Sequence, residues 1–443
     1  VTSNAVYPVQ TAGHPLDAVV EVPGSKSIAN RALICATLAD GESVLHNVPG
    51  GDDTAAMLEC VALLGAGVNR HDETVVRLHG TAGALHPGPL TLDARLAGTT
   101  SRFVTALCAL GSGTYEIDGL APLRSRPMAP LHDALVSLGA QVSCGQAWGH
   151  LPVSVTGLRG LAGGQTPGRQ TPGRQTVQIR GDVSSQYITA LMLIAPYLPG
   201  GLDIHLTTPL ISRPYLAITA AVMATFGVRD VSIGEDLVSV GAGRYVAVDH
   251  VIEPDASTAS YPLAAAAICG GSVRVADLGP DALQGDAAFA DVLARMGCDV
   301  TRDASGTTVR RAGELRGIDI DMSDLSDLVP TLAVVAPFAA TPTVISGVGF
   351  IRAKESDRLG DLAHELAKCG VRADVLEDGL RIQPGAGDGG AMDTHHDHRL
   401  AMAFGILGLR VHGVRVHDPD VVTKSWPAFW TSLESLRASG GAR

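Results

Sequence analysis

The chain has 443 residues, 46% of them hydrophobic and only 18% charged, enough for two cores, since single cores stop growing near roughly 250 to 300 residues. A formal charge of −12 argues against nucleic-acid and anionic-membrane partners, which require a basic field. No stretch reaches about 18 apolar residues without Gly, Pro or charge, and the first thirty residues lack a basic segment followed by an apolar run, so no membrane span is expected and a cytoplasmic location is. The seven cysteines are odd in number, widely spaced and set in Ala/Leu/Val runs, and read as buried small hydrophobes.

In chain order, one apolar helix-like run recurs near Ser27, Thr99, Ser185, Thr258, Leu328 and His398, and a more amphipathic one near Asp52, Ser125, Ser212, Gly285, Glu355 and Ser425. Both series repeat every seventy or so residues and keep step. Several second helices run into Leu-Gly-Ala-Gly-Val (Leu64–Val68) or a close variant, a left-handed stop followed by a strand. Short alternating segments such as Val19–Val22, Tyr115–Ile117, Leu202–Leu206, Val273–Val275, Ile318–Ile320 and Val414–Val416 supply strands. Each unit reads as βαβαββ, and six units divide as three plus three. The expected domains are residues 24–251, with a loop insertion at 165–176 carrying a tandem TPGRQ, and residues 1–23 plus 252–443, the N-terminal strand crossing back. Arg169 and Arg174 of the insertion allow an anion clamp as the alternative to a plain exposed loop.

The apolar helices carry suspicious residues at their N-termini, where free N–H groups and the helix dipole favour anions. Lys26, one of only four lysines, sits with Ser25 and Ser27 at the first start, and Arg31 one turn on. Capping explains the serines, but a cation there opposes the dipole unless an anion is present. Ser184, Ser185 and Gln186 offer more donors than one cap uses. Lys354 and Arg358 flank Glu355 at i, i+4, where like charges repel unless an anion lies between; a solvated charged face is the plainer alternative. His395, His396 and His398 with Asp393 allow a metal site, while the adjoining Arg399 suits an anion better. Lys368, near a helix C-terminus, needs no more than the dipole.

Pro23 to Arg31, Ala97 to Arg102, Arg126-Pro127-Met128, Ser184-Ser185-Gln186, Lys354 to Arg358, Asp397-His398-Arg399 and Lys424 occur in the order and spacing of the 5-enolpyruvylshikimate-3-phosphate synthases, and the whole chain resembles that family. The resemblance implies two lobes, each an inside-out α/β barrel of three βαβαββ units. It implies a shikimate 3-phosphate site of Lys26, Ser27, Arg31, Ser184, Ser185, Gln186, Ser212, Tyr215, Asp327 and Lys354. Phosphoenolpyruvate would meet Lys26, Gly98, Arg126, Gln186, Arg358, Arg399 and Lys424. The chain departs from better-known bacterial members at Phe350 and Leu96, each in place of Asn, at Phe103 in place of Pro, and at Arg180 and Asp182.

The implied reaction moves the enolpyruvyl group of phosphoenolpyruvate to the 5-hydroxyl of shikimate 3-phosphate and releases phosphate, a step of aromatic amino-acid biosynthesis that glyphosate inhibits in this family. It needs an acid, a base and charge stabilisation. Asp327 is the candidate base, Glu355 the candidate proton carrier at carbon, and Lys26 a bridge to both substrates. No metal or organic cofactor is called for, and a monomer is expected. Three other readings stand beside this one. Transfer to UDP-N-acetylglucosamine by the sister family would bring a reactive Cys, absent from Gly119–Leu131. A non-catalytic binding relative would lack charged site residues, and an enzyme acting on another phosphorylated cyclic alcohol fits Phe350 and Leu96.

Overall fold

Runs of Ala, Leu, Ile and Val without a charged face cannot lie on a surface, and the computed structural model, which describes residues 5–158, 173–311 and 313–441, buries them. Contacts divide the chain into a first unit, Gly24–Ile252, and a second, Val1–Pro23 with Glu253–Arg443. The first contains α1 (Lys26–Leu38), α2 (Asp52–Leu63), α3 (Gly98–Cys108), the single turn α4 (Ala121–Arg124), α5 (Ala129–Ser137), α6 (Ser185–Ile194) and α7 (Pro214–Thr225). The second contains α8 (Ala256–Cys269), α9 (Phe289–Arg295), α10 (Val329–Val335), α11 (Gly360–Ala367), α12 (His398–Gly408) and α13 (Phe429–Ala438).

In the first unit α1, α3 and α6 pack against one another, and every residue of α1 from Ile28 to Leu38 is buried. In the second, α8, α10 and α12 do the same, with α8 buried from Ala256 to Ile268. The sheets lie outside these helices, one face to the core and one to solvent: along Thr114–Asp118 the side chains alternate out and in. Each unit is therefore helix-centred, with three βαβαββ repeats whose sheets are mixed. In the second repeat Leu90–Asp93 runs parallel to Thr114–Asp118, which pairs antiparallel with Val153–Thr156, which pairs antiparallel with Gln141–Cys144.

One rearrangement of this order occurs in each unit. The strand Leu16–Val20, which precedes α1 in sequence, pairs with Gly271–Ala276 of the second unit. The strand Asp249–Val251, which precedes α8, pairs with Glu42–His46 of the first. A further N-terminal strand, Val6–Pro8, pairs with Arg415–His417 in the last repeat.

The helix stops follow the sequence: Gly65, Gly139 and Gly297 take φ of 108°, 100° and 107°. Three second-series helices begin later than their periodicity suggests. α5 starts at Ala129 and α13 at Phe429, because Pro127 and Pro427 disfavour helical backbone in the residues before them. α11 starts at Gly360 because the Asp357 carboxylate accepts from the Leu359 and Gly360 N–H groups at 3.2 and 3.1 Å and ends the preceding turn. Most of the 165–176 insertion lies outside the described residues. Arg174 pairs with Asp203 and Asp230, each at 3.3 Å, so internal carboxylates occupy it.

Gly24, just before α1, has no room for a side chain: a Cβ would lie 1.8 Å from the Asn47 carbonyl oxygen. Gly24→Ala must displace backbone and is expected to cost about 2 to 4 kcal/mol, read as a lower urea midpoint with an unchanged m-value.

Candidate active site

In the first unit, Ser25 caps α1 by accepting from the Ile28 N–H at 3.4 Å. The next residue, Lys26, reaches Asp53 in the first turn of α2, with Nζ 3.0 Å from Oδ2. The anion that a cation at this helix start demands is thus found within the chain, on a carboxylate that is almost wholly buried. Asp53 was missed by sequence reasoning; its only signal was a second acidic residue where one suffices to open a helix.

Arg31 is turned inward. It donates to Thr219 at 2.8 Å, to the Ser27 carbonyl at 2.7 Å and to the Tyr215 carbonyl at 3.3 Å. Its guanidinium lies over Phe103 and Tyr215, and burial pushes it down to about 10. Phe103, where better-known members carry Pro, therefore faces this arginine. Ser212 is buried with φ of 54° and lies three residues before Tyr215.

α3 opens at Gly98 with no side-chain cap, and a Cβ on Gly98 would fall 2.5 Å from Arg102 Nη1 and 2.7 Å from Arg126 Nη1. Two guanidiniums thus converge on a bare helix N-terminus, an arrangement suited to phosphate or carboxylate. Gln186 donates to Thr99 at 3.3 Å, while its buried Oε1 has no partner among the described residues. Ser184 caps α6 and Ser185 is buried. Arg180 and Asp182 pair with each other at the surface.

In the second unit the cluster centres on Asp327, held in the short turn Ser326–Leu328 before α10. Its Oδ1 accepts from Lys354 Nζ at 2.6 Å and Arg358 Nη1 at 2.9 Å, and its Oδ2 from Arg399 Nη2 at 2.8 Å. Arg358, buried, also grips Asp397 at 2.7 Å and Glu355 at 2.8 Å. Lys424 lies 3.5 Å from Glu355, and Asp397 caps α12 through the Arg399 N–H at 2.9 Å. Lys354 also donates to Ser326 and lies 5.7 Å from the Phe350 ring centre. The segment from Lys354 to Arg358 is a turn rather than a helix, and the anion between its two cations is Asp327. Asp397 and Ser326 were not among the site residues expected from sequence.

Burial raises the proton affinity of Asp327, but Arg399, Lys354 and Arg358 outweigh it and hold the carboxyl well below the usual range. Burial lowers Lys354 against the pull of Asp327. Arg358 is raised: burial opposes its charge, but Asp397, Glu355 and Asp327 together prevail. Lys368 stands at the C-cap of α11, where the helix dipole favours a cation, and it also binds both oxygens of the fully buried Glu365 at 2.7 Å, a carboxylate that needs a counter-ion. Among the described residues no group of His, Cys, Asp and Glu is arranged to hold a metal ion. His395 and His396 instead meet Glu365 and Asp418.

Asp286 is buried, hydrogen-bonded by Ser257, and pushed up to about 6 by burial and by the charge of Asp327. Its folded value exceeds the unfolded one, so between about pH 4 and 6 the folded state keeps a proton that the unfolded chain has lost, and stability falls as pH rises through that window. Asp286→Asn removes the penalty. The variant is expected to exceed the parent in stability by about 1 to 3 kcal/mol at neutral pH, the difference vanishing near pH 4, as urea melts at the two pH values would show.

The profile of the EPSP synthase family, described as 3-phosphoshikimate 1-carboxyvinyltransferase, matches residues 10–433. A 3-phosphoshikimate 1-carboxyvinyltransferase of Nostoc punctiforme is 40% identical over 419 residues, 94% of this chain and 96% of that one. One of Syntrophobacter fumaroxidans is 40% identical over 427 residues, 96% and 98% of the two chains. The solved EPSP synthase of Acinetobacter baumannii superposes with a TM-score of 0.81 over 97% of this chain and 98% of its own, at 24% identity, and shares its fold. A match running through both units, with relatives this similar over nearly their full lengths, establishes that the chain belongs to the EPSP synthase family.

Proposed function

We propose that this chain transfers the enolpyruvyl group of phosphoenolpyruvate to the 5-hydroxyl of shikimate 3-phosphate, releasing phosphate, as a cytoplasmic monomer without metal or organic cofactor. The observation that carries the reading is the convergence of Lys354, Arg358 and Arg399 on one carboxylate, Asp327, beside Glu355 held by Arg358 and Lys424. Both substrates carry a phosphate and a carboxylate, and such fixed cations supply charge stabilisation without a metal.

Arg358, Arg399 and Lys424, with Arg126, Gln186 and the N-terminus at Gly98, are assigned to phosphoenolpyruvate. Lys354, Ser27, Ser184, Ser185, Gln186, Ser212 and Tyr215 are assigned to shikimate 3-phosphate, with Lys26 serving both. Arg31 acts largely by holding Ser27 and Tyr215, since its donors already point to them and to Thr219.

The chemistry adds a proton to the methylene carbon of phosphoenolpyruvate and the 5-hydroxyl oxygen to the adjacent carbon. A proton then leaves the new methyl group as phosphate departs. Asp327 takes the hydroxyl proton and Glu355 serves the carbon. With its three cations in place Asp327 is a weak base. Substrate anions that draw hydrogen bonds from Arg399, Lys354 and Arg358 raise its proton affinity, so the base gains strength only with substrate bound.

Phosphate release from phosphoenolpyruvate tests the reading. It should require shikimate 3-phosphate and fail with UDP-N-acetylglucosamine or unphosphorylated shikimate; activity with another acceptor alone overturns it. Asp327→Asn is expected to lower kcat by about 100-fold or more, the scale of general-base loss, while calorimetry shows a smaller change in shikimate 3-phosphate affinity. Gly98→Ala should push aside the ends of Arg102 and Arg126 without moving backbone. Its KM for phosphoenolpyruvate is expected to rise about tenfold at a nearly unchanged melting temperature, with competition by glyphosate weakened further.

A further inference from the structure

We propose that His395 is a positioning residue for the phosphoenolpyruvate-binding half of the cluster, acting through Asp397. His395 and His396 are consecutive non-glycine residues in the left-handed region, with φ of 50° and 58°. Such backbone costs about 1 to 2 kcal/mol per residue and persists only where side chains hold it. His395 is held from two sides: Nε2 lies 3.0 Å from Glu365 Oε1 and Nδ1 lies 3.6 Å from Asp361 Oδ1. Asp361 and Glu365 stand one turn apart on α11, so the imidazole bridges two carboxylates on one helix face.

Glu365 is anchored in turn. Its side chain is fully buried, neutralised by Lys368 and bonded by the Asp393 N–H at 2.8 Å. The clamp therefore ties α11 to the loop leading into α12. Those two segments adjoin the working cations: Lys354 to Arg358 immediately precede α11, and Arg399 is the second residue of α12. Asp397, two residues past His395, caps α12 and fixes the Arg358 guanidinium. Without the His395 contacts the loop before α12 is untied from α11, which turns Asp397 and disperses Arg358 and Arg399.

The claim rests on the functional reading above and predicts a selective defect. His395→Asn suits left-handed backbone but is too short to reach Glu365, whereas His395→Gln reaches it with an amide donor. Expected for His395→Asn is a KM for phosphoenolpyruvate raised about tenfold or more, the scale of a misplaced binding group. Its KM for shikimate 3-phosphate should stay within about twofold and its melting temperature near the parent's, with His395→Gln restoring most of the loss. An unchanged phosphoenolpyruvate KM in His395→Asn, equal rises in both KM values, or a Gln variant no better than Asn overturns the proposal. If His395→Asn does not fold, Asp361→Asn, which weakens only the Nδ1 contact, takes its place, and an unchanged phosphoenolpyruvate KM there overturns the proposal equally. A parent without phosphate release from this substrate pair sinks both readings; an active parent with unaffected variants sinks this one alone.

Discussion

A protein that gathers cations to bind anions must keep those cations compensated when no substrate is bound. Removing the partner of a buried charge costs about 3 to 5 kcal/mol, and the second unit holds Lys354, Arg358, Arg399 and Lys424 close together. Three carboxylates, Asp327, Glu355 and Asp397, offset these four charges from inside. The same solution recurs throughout the chain, for each of its lysines has a carboxylate partner: Asp53, Asp327, Glu365 or Glu355. The counter-ions keep the cationic side chains aimed while leaving them a net positive charge, the state from which an incoming phosphate gains most.

The fold supplies the aim. Short polar turns precede the buried helices, and it is in those turns and first helical residues that Lys26, Gly98, Asp327 and Arg399 stand. Because each inner helix is locked by apolar contacts along its length, its N-terminus cannot drift, and a side chain one or two residues into it inherits that rigidity. Arg358 shows how far this goes: almost wholly buried, it spans Asp327, Glu355 and Asp397, fixing three segments relative to one another.

The repeats were legible because each inner helix is a long apolar run and several outer ones end at a glycine that only a left-handed stop requires, as at Gly65 and Gly297. The helix starts read near Ser125, Glu355 and Ser425 fall four or five residues ahead of the helices themselves, because Pro127, Asp357 and Pro427 set the true boundaries. The cations of the site could be picked out from the like-charge pair Lys354 and Arg358 and from Lys26 at a helix start. Their counter-ions could not: Asp53 lies 27 residues from Lys26 and Asp397 lies 39 from Arg358, and only the packing of helices shows the pairing. For the same reason the sequence placed Arg31 one turn into the first helix without showing that its guanidinium is buried among Thr219, Thr189 and Tyr215.

The strand exchange also fixes an order of assembly on the ribosome. Everything the Gly24–Ile252 unit needs has been made once Val251 is complete, since Asp249–Val251 closes its first sheet. The N-terminal strands are different. Leu16–Val20 finds its neighbour only after Gly271–Ala276 is made, and Val6–Pro8 waits for Arg415–His417, far later in synthesis. At about 5 to 20 residues per second, Val6–Pro8 spends tens of seconds without its partner. A nascent chain of this kind exposes free strand edges at Val6–Pro8 and Leu16–Val20 until those partners are made, and a co-translational chaperone has such edges to protect.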